Sequence, residues 1–161
     1  MRISSRGQYG VRALVVLATR HGNGPTQVRE IARVEGLSAK YLEQLLGRLR
    51  TGGLVRSVRG ARGGYVLARL PEAITVREVL LLLEGSLAPV GCVDEGGACG
   101  DADGKACVAH PLWSGLHATV LGYLDSFTLA DLVAAAAPVE PAPAAPEAPV
   151  EDELVAAETR G

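Results

Sequence analysis

Glycine punctuates residues 1–70 so closely that the segment has room for three short helices, one hairpin and little else. Ser4 or Ser5 can cap a first helix running to about His21, where Gly22, Asn23, Gly24 and Pro25 stop it. Thr26 opens a short second helix through Glu35, with Val28, Ile31 and Ala32 as its inward stripe and Gly36 at its end. Ser38 caps a third helix, in which Leu42, Leu45, Leu46 and Leu49 follow the i, i+3, i+4, i+7 spacing of one buried face. Gly52 and Gly53 supply a left-handed stop. Leu54–Arg59 and Tyr65–Leu67 then read as two strands around the turn Gly60-Ala61-Arg62-Gly63-Gly64. Together these pieces predict a mainly α fold with a small β wing: a winged helix-turn-helix.

The remainder changes character. Thr75 with Glu78 reads as a capping box for a helix to Glu84, burying Val76, Val79, Leu80 and Leu83. Residues 85–110 form a loop with six glycines and all three cysteines. Pro111 suits the first turn of a long helix to Phe127, with Leu112, Leu116, Val120, Tyr123, Leu124 and Phe127 spaced by threes and fours. Thr128 with Asp131 restarts a short final helix, and five prolines within residues 138–149 mark a disordered Pro/Ala/acidic tail over 138–161. The organisation expected is a DNA-binding domain over 1–84, a metal-binding loop over 85–110, a long and a short helix over 111–137, and the tail.

Charge separates the same halves. Residues 1–70 hold 13 Lys/Arg against 3 Asp/Glu, a net +10, and residues 71–161 hold 3 against 15, a net −12, which together give the overall −2. A basic face of that size suits a polyanion. No apolar run approaches the roughly 18–20 residues of a membrane span. The stretch Ala13–Ala18 is too short for a secretory core, so a cytoplasmic protein is expected.

In a helix-turn-helix the second helix of the motif lies in the major groove with its N-terminal residues at base edges. That helix begins at Ser38, and Ser38, Lys40, Tyr41 and Gln44 share its outer surface. Gln pairs bidentately with adenine, while Ser, Lys and Tyr hold phosphates or bases. Glu43 is the helix's only acid; it either accepts from cytosine and excludes wrong sequences, or pairs with Lys40 as a solvated residue. Arg59 and Arg62 lie on the wing turn, where a guanidinium can enter a narrow minor groove.

Cys92, Cys99, Cys107 and His110 read C-x6-C-x7-C-x2-H. Three cysteines cannot all pair within one chain, which disfavours a disulfide framework. Three thiolates and an imidazole suit zinc or an iron–sulfur cluster. Zinc sites usually carry a C-x2-C-type knuckle, which is missing here, so the wide spacing suits an exposed cluster better.

The segments Met1-Arg2-Ile3-Ser4-Ser5-Arg6-Gly7-Gln8-Tyr9, Leu37-Ser38-Ala39-Lys40-Tyr41-Leu42-Glu43-Gln44-Leu45, Val58-Arg59-Gly60-Ala61-Arg62-Gly63-Gly64-Tyr65 and Cys107-Val108-Ala109-His110-Pro111-Leu112-Trp113 carry a resemblance. Over about residues 1–133 the chain resembles the IscR-type iron–sulfur cluster regulators, within a winged-helix family of repressors that sense iron–sulfur clusters, nitric oxide or iron. The resemblance implies a homodimer joined through the long helix that binds a palindromic DNA operator. It implies a 2Fe–2S cluster on Cys92, Cys99, Cys107 and His110, and a Glu43 that filters DNA sites. The cluster-loaded form would then repress iron–sulfur biogenesis genes. Nitric-oxide-sensing relatives take a fourth ligand from an acid in the first helix; the matching residue here is Gln8, a poor iron ligand, which favours His110.

The expectation is therefore a transcription factor and no enzyme. The dimer seam would run along Leu116, Val120, Leu124 and Phe127, more apolar residues than a one-sided helix requires. The competing readings are a nitric-oxide- or iron-responsive repressor with a 4Fe–4S cluster, and a zinc-stabilised winged-helix module.

Overall fold

The computed structural model describes residues 3–94 and 107–136. Cys99 and the tail expected from Pro138 onward lie outside those residues. Six α-helices and one hairpin follow in order: α1 (Ser5–Thr19), α2 (Val28–Glu35), α3 (Ala39–Thr51), β1 (Val55–Val58), β2 (Gly64–Leu67), α4 (Val76–Glu84), α5 (His110–Asp125) and α6 (Leu129–Ala135). Short 3₁₀ turns stand at Pro71–Ala73 and Gly91–Val93. This is the mainly helical fold with a small antiparallel wing that the punctuation predicts.

The main core is aliphatic. Leu14 and Leu17 of α1, Ile31 of α2, and Leu42, Leu45, Leu46 and Leu49 of α3 are buried together with Leu54, Val55 and Leu67 of the hairpin. Each such side chain contributes about 1.5–3 kcal/mol by leaving water. Leu129 of α6 is fully buried in the same cluster, so the last helix packs back on α1. α1 also lies against α4, and glycine permits the closeness: a Cβ at Gly10 would strike Leu83, and one at Gly7 would strike the Glu84 carboxylate. Ser4 caps α1 and also donates its hydroxyl to Glu84 Oε1 at 2.6 Å.

Three local expectations are corrected. Thr26 does not open α2, whose N-cap is Gln27; it is buried and forms a single antiparallel bridge with Tyr65 of β2. Thr75 caps α4 by accepting from the Glu78 N–H at 3.2 Å, but Glu78's carboxylate pairs with Arg69, so the capping box is half formed. The long helix ends at Asp125 because the next backbone is taken elsewhere: Phe127 O accepts from Val76 N at 2.9 Å, and Thr128 bridges Thr75. At the start of α6, Thr128 and Asp131 form a complete capping box, and the Thr128 hydrogen bonds hold the Asp131 carboxyl below its ordinary pKa.

Candidate nucleic-acid interface and metal centre

The turn between α2 and α3 depends on Gly36, which sits at φ 66° and ψ 30°, the left-handed region that glycine enters without penalty. Leu37 N then donates to Ala32 O at 3.0 Å, closing the end of α2. Ser38 starts α3 by accepting from Tyr41 N at 3.2 Å. With four leucines of α3 buried, Lys40, Glu43 and Gln44 are turned outward and exposed on the opposite side.

Tyr41 stands apart from these. It is half-buried and meets Tyr9 of α1 edge-on. The Arg12 guanidinium lies 5.8 Å from the Tyr9 ring centroid and pairs with Glu35 of α2 at 2.5 Å. α3 is thus joined to α1 through an aromatic pair, and α1 to α2 through an ion pair, neither of which the residue pattern announces.

The wing pairs Val55 with Leu67 at its base and Val58 with Gly64 at its tip, and Arg59 and Arg62 are exposed on the turn beyond. Ion pairs among the described residues join Arg12–Glu35, Arg20–Glu30, Arg69–Glu78 and Arg77–Asp125. None involves Lys40, Arg48 or Arg50 of α3, nor Arg56, Arg59 or Arg62 of the hairpin. Glu43 likewise makes no ion pair there, with Lys40 or any other cation. Among the described residues, most of the cations without acidic partners lie on α3 and the hairpin, the rest being Arg6 of α1 and Arg29 and Arg33 of α2.

In the later part of the chain, the 3₁₀ turn carrying Cys92 packs against α5. Cys107 stands three residues before the start of that helix, and its carbonyl accepts from His110 N at 3.0 Å. Both cysteines are free and half-buried. His110 is the first residue of α5; its Nε2 lies 3.2 Å from Ser114 Oγ, while its Nδ1 is buried with no hydrogen-bond partner among the described residues. No three potential ligands stand together among the described residues, and the third cysteine, Cys99, is not one of them. The donor types fit a thiophilic metal or an iron–sulfur cluster: two thiols and an imidazole nitrogen with no other occupation. Gln8 is occupied differently, donating its amide to Ile3 O at 3.4 Å.

The expected seam residues divide. No residue of α5 is buried, and Leu112, Leu116 and Tyr123 are 64%, 43% and 66% exposed. Val120 is half-buried, whereas Leu124 and Phe127 pack inward on the small cluster of Val76, Leu80 and Leu87. No helix among the described residues is long and apolar enough to cross a membrane.

The family model Rrf2, described as “Iron-dependent Transcriptional regulator”, matches residues 3–135. The HTH-type transcriptional regulator CymR of Bacillus subtilis is 42% identical over 132 residues, which are 82% of this chain and 89% of that one. The HTH-type transcriptional regulator IscR of Klebsiella pneumoniae is 40% identical over 133 residues, 83% and 80% of the two chains. Among solved structures, CymR of B. subtilis, described as the global cysteine regulator, superposes with a TM-score of 0.73 at 39% identity, covering 85% of this chain and 99% of that one. T. potens IscR gives 0.68 at 40% identity, covering 85% and 89%.

Proposed function

The chain belongs to the Rrf2 family of DNA-binding transcriptional regulators, and from that premise we propose that it is a homodimeric repressor whose choice of operator depends on an iron–sulfur cluster held by Cys92, Cys99, Cys107 and His110. One observation carries the cluster reading: a buried His110 nitrogen without a partner among the described residues, three residues beyond Cys107 on a helix against which the turn carrying Cys92 is packed. A 2Fe–2S cluster would supply an occupancy- and redox-sensitive crosslink between the loop and the start of α5.

The chain's own residues account for the rest. α3 enters the major groove, with Gln44 at base edges and Ser38, Lys40 and Tyr41 against backbone or bases. Arg59 and Arg62 reach the flanking minor groove from the wing. Glu43 filters sites by placing a carboxylate, unpaired within the described chain, where only a suitable base can receive it. Dimerisation runs along the exposed apolar side of α5, which a two-fold operator requires. Short polar links join α1 to α4 and α4 to α5: Glu84, the last residue of α4, accepts from the Ser4 hydroxyl at the start of α1, and Asp125 of α5 pairs with Arg77 of α4 at 2.5 Å.

The similarity to CymR favours a second reading, a cysteine-responsive regulator whose thiols work without a cluster. Anaerobic purification with iron and sulfide analysis separates the two. Iron and acid-labile sulfide in equal amounts, with a visible absorption that chelator bleaches, support the cluster. A colourless protein, with zinc or with no metal, overturns it.

A further inference from the structure

His110 and Ser114 are one helical turn apart, and their contact bears on which nitrogen the imidazole offers. Hydroxyls inside helices commonly turn back to the carbonyl four residues earlier, as Thr119 does on this same helix, donating to Gly115 O at 2.8 Å. Ser114 stands four residues after His110, yet its Oγ contacts the ring at Nε2, 3.2 Å away. A neutral imidazole has one N–H donor and one bare acceptor nitrogen. Were the Ser114 hydroxyl to donate to Nε2, the ring hydrogen would sit on Nδ1, buried and facing no acceptor among the described residues. The opposite arrangement gives Nε2–H an acceptor in Ser114 Oγ and leaves the Nδ1 lone pair bare. That is the form of a metal-binding histidine, whose second nitrogen usually donates to an outer partner that fixes the tautomer.

We propose that Ser114 is a positioning residue: its Oγ accepts the Nε2–H of His110 and thereby presents the buried Nδ1 as the ligating atom. The assignment rests on the cluster reading for what Nδ1 ligates, but not for the tautomer. A serine oxygen is a modest acceptor, so it sets ring orientation and raises ligand basicity without creating an imidazolate.

The test uses the full chain labelled with ¹⁵N-histidine and stripped of metal, at a pH that keeps the rings neutral. His110→Gln identifies the ring's signals in a long-range proton–nitrogen correlation. The wild type is expected to show the Nε2–H form, Ser114→Thr to retain it, and Ser114→Ala to shift toward a mixture of tautomers. Nδ1–H in the wild type, or a Ser114→Ala spectrum matching the wild type, overturns the proposal. In loaded protein, Ser114→Ala is expected to raise the midpoint potential and alter the nitrogen hyperfine coupling, with Ser114→Thr restoring both; an unmoved potential counts against it. Iron and sulfide analysis of the wild type judges the cluster separately: a cluster-free protein that still shows Nε2–H keeps the Ser114 assignment and rejects only the cluster.

Discussion

Tyr9 of α1 and Tyr41 of α3 meet edge to face, with ring centroids 6.1 Å apart and planes at 85°. The contact joins the first helix to the N-terminal turn of α3, so Tyr41 has a structural duty beside any contact with DNA. Aromatic pairs of this geometry contribute about 0.5–1.5 kcal/mol beyond their burial. Tyr41→Phe keeps the ring and is expected to leave the unfolding free energy within about 0.5 kcal/mol of wild type, while Tyr41→Ala lowers it by roughly 2–3 kcal/mol. Urea unfolding of both variants, with operator binding measured alongside, separates the ring's role from the hydroxyl's. If Tyr41→Phe binds DNA like wild type, the hydroxyl is not a DNA contact.

Local signals in the sequence are sufficient for the reading head and insufficient for what braces it. The leucines of α3 announce themselves because 3.6-residue periodicity is written in consecutive residues, and Ser38 and Gly36 bracket them with cap and turn chemistry. Thr26 misleads because a threonine before an apolar stripe resembles a cap. Its partner, Tyr65, lies across the fold, and only tertiary structure brings the two backbones together. The apolar pattern of α5 likewise runs on to Phe127, but the Phe127 carbonyl is claimed by Val76. The candidate metal ligands are legible as residue types, and Ser114 is not, since nothing about a serine at i+4 marks it as a histidine's partner until the ring is placed.

The cations of the wing, which make no ion pair among the described residues, should register in salt dependence. Removing one phosphate-binding cation reduces the slope of log affinity against log salt by about 0.9. Arg59→Ala is expected to weaken operator binding and flatten the slope by about that amount. Arg77→Ala, whose cation is engaged by Asp125, serves as a control and should leave the slope unchanged. Equal slopes for wild type and Arg59→Ala would remove Arg59 from the interface.

The two sides of α5 should respond differently to charge. Leu116 and Tyr123 are exposed in the single chain, so Leu116→Asp combined with Tyr123→Asp should leave the protomer folded and yield monomers in sedimentation. Leu124 packs inward on Val76, Leu80 and Leu87, and Leu124→Asp should instead lower the unfolding free energy by roughly 1–3 kcal/mol. A folded dimer from the Leu116/Tyr123 pair would move the seam off this face.

Glu43 gives the sharpest test of how the reading head selects sites. It is exposed on the outer face of α3 and shares no ion pair with Lys40, so the bland account of a self-paired surface acid has no partner to rest on. A free carboxylate beside DNA repels phosphate and helps only where a base can donate to it, which makes it a discriminator more than a source of affinity. Glu43→Ala should therefore improve binding to disfavoured operators by about 1–3 kcal/mol, the usual worth of one base-pair discrimination, while changing the preferred operator little. If the candidate metal-binding loop shifts specificity, the loaded and metal-free proteins must differ in their affinity for at least one operator class, because a ligand moves an equilibrium only by unequal affinity for its two states. Cys92→Ala should then select the same sites as the metal-free protein. Selection from a randomised operator pool by loaded, metal-free, Cys92→Ala and Glu43→Ala proteins decides the matter: identical selections from all four would leave Glu43 a solvated residue and the loop no part of specificity.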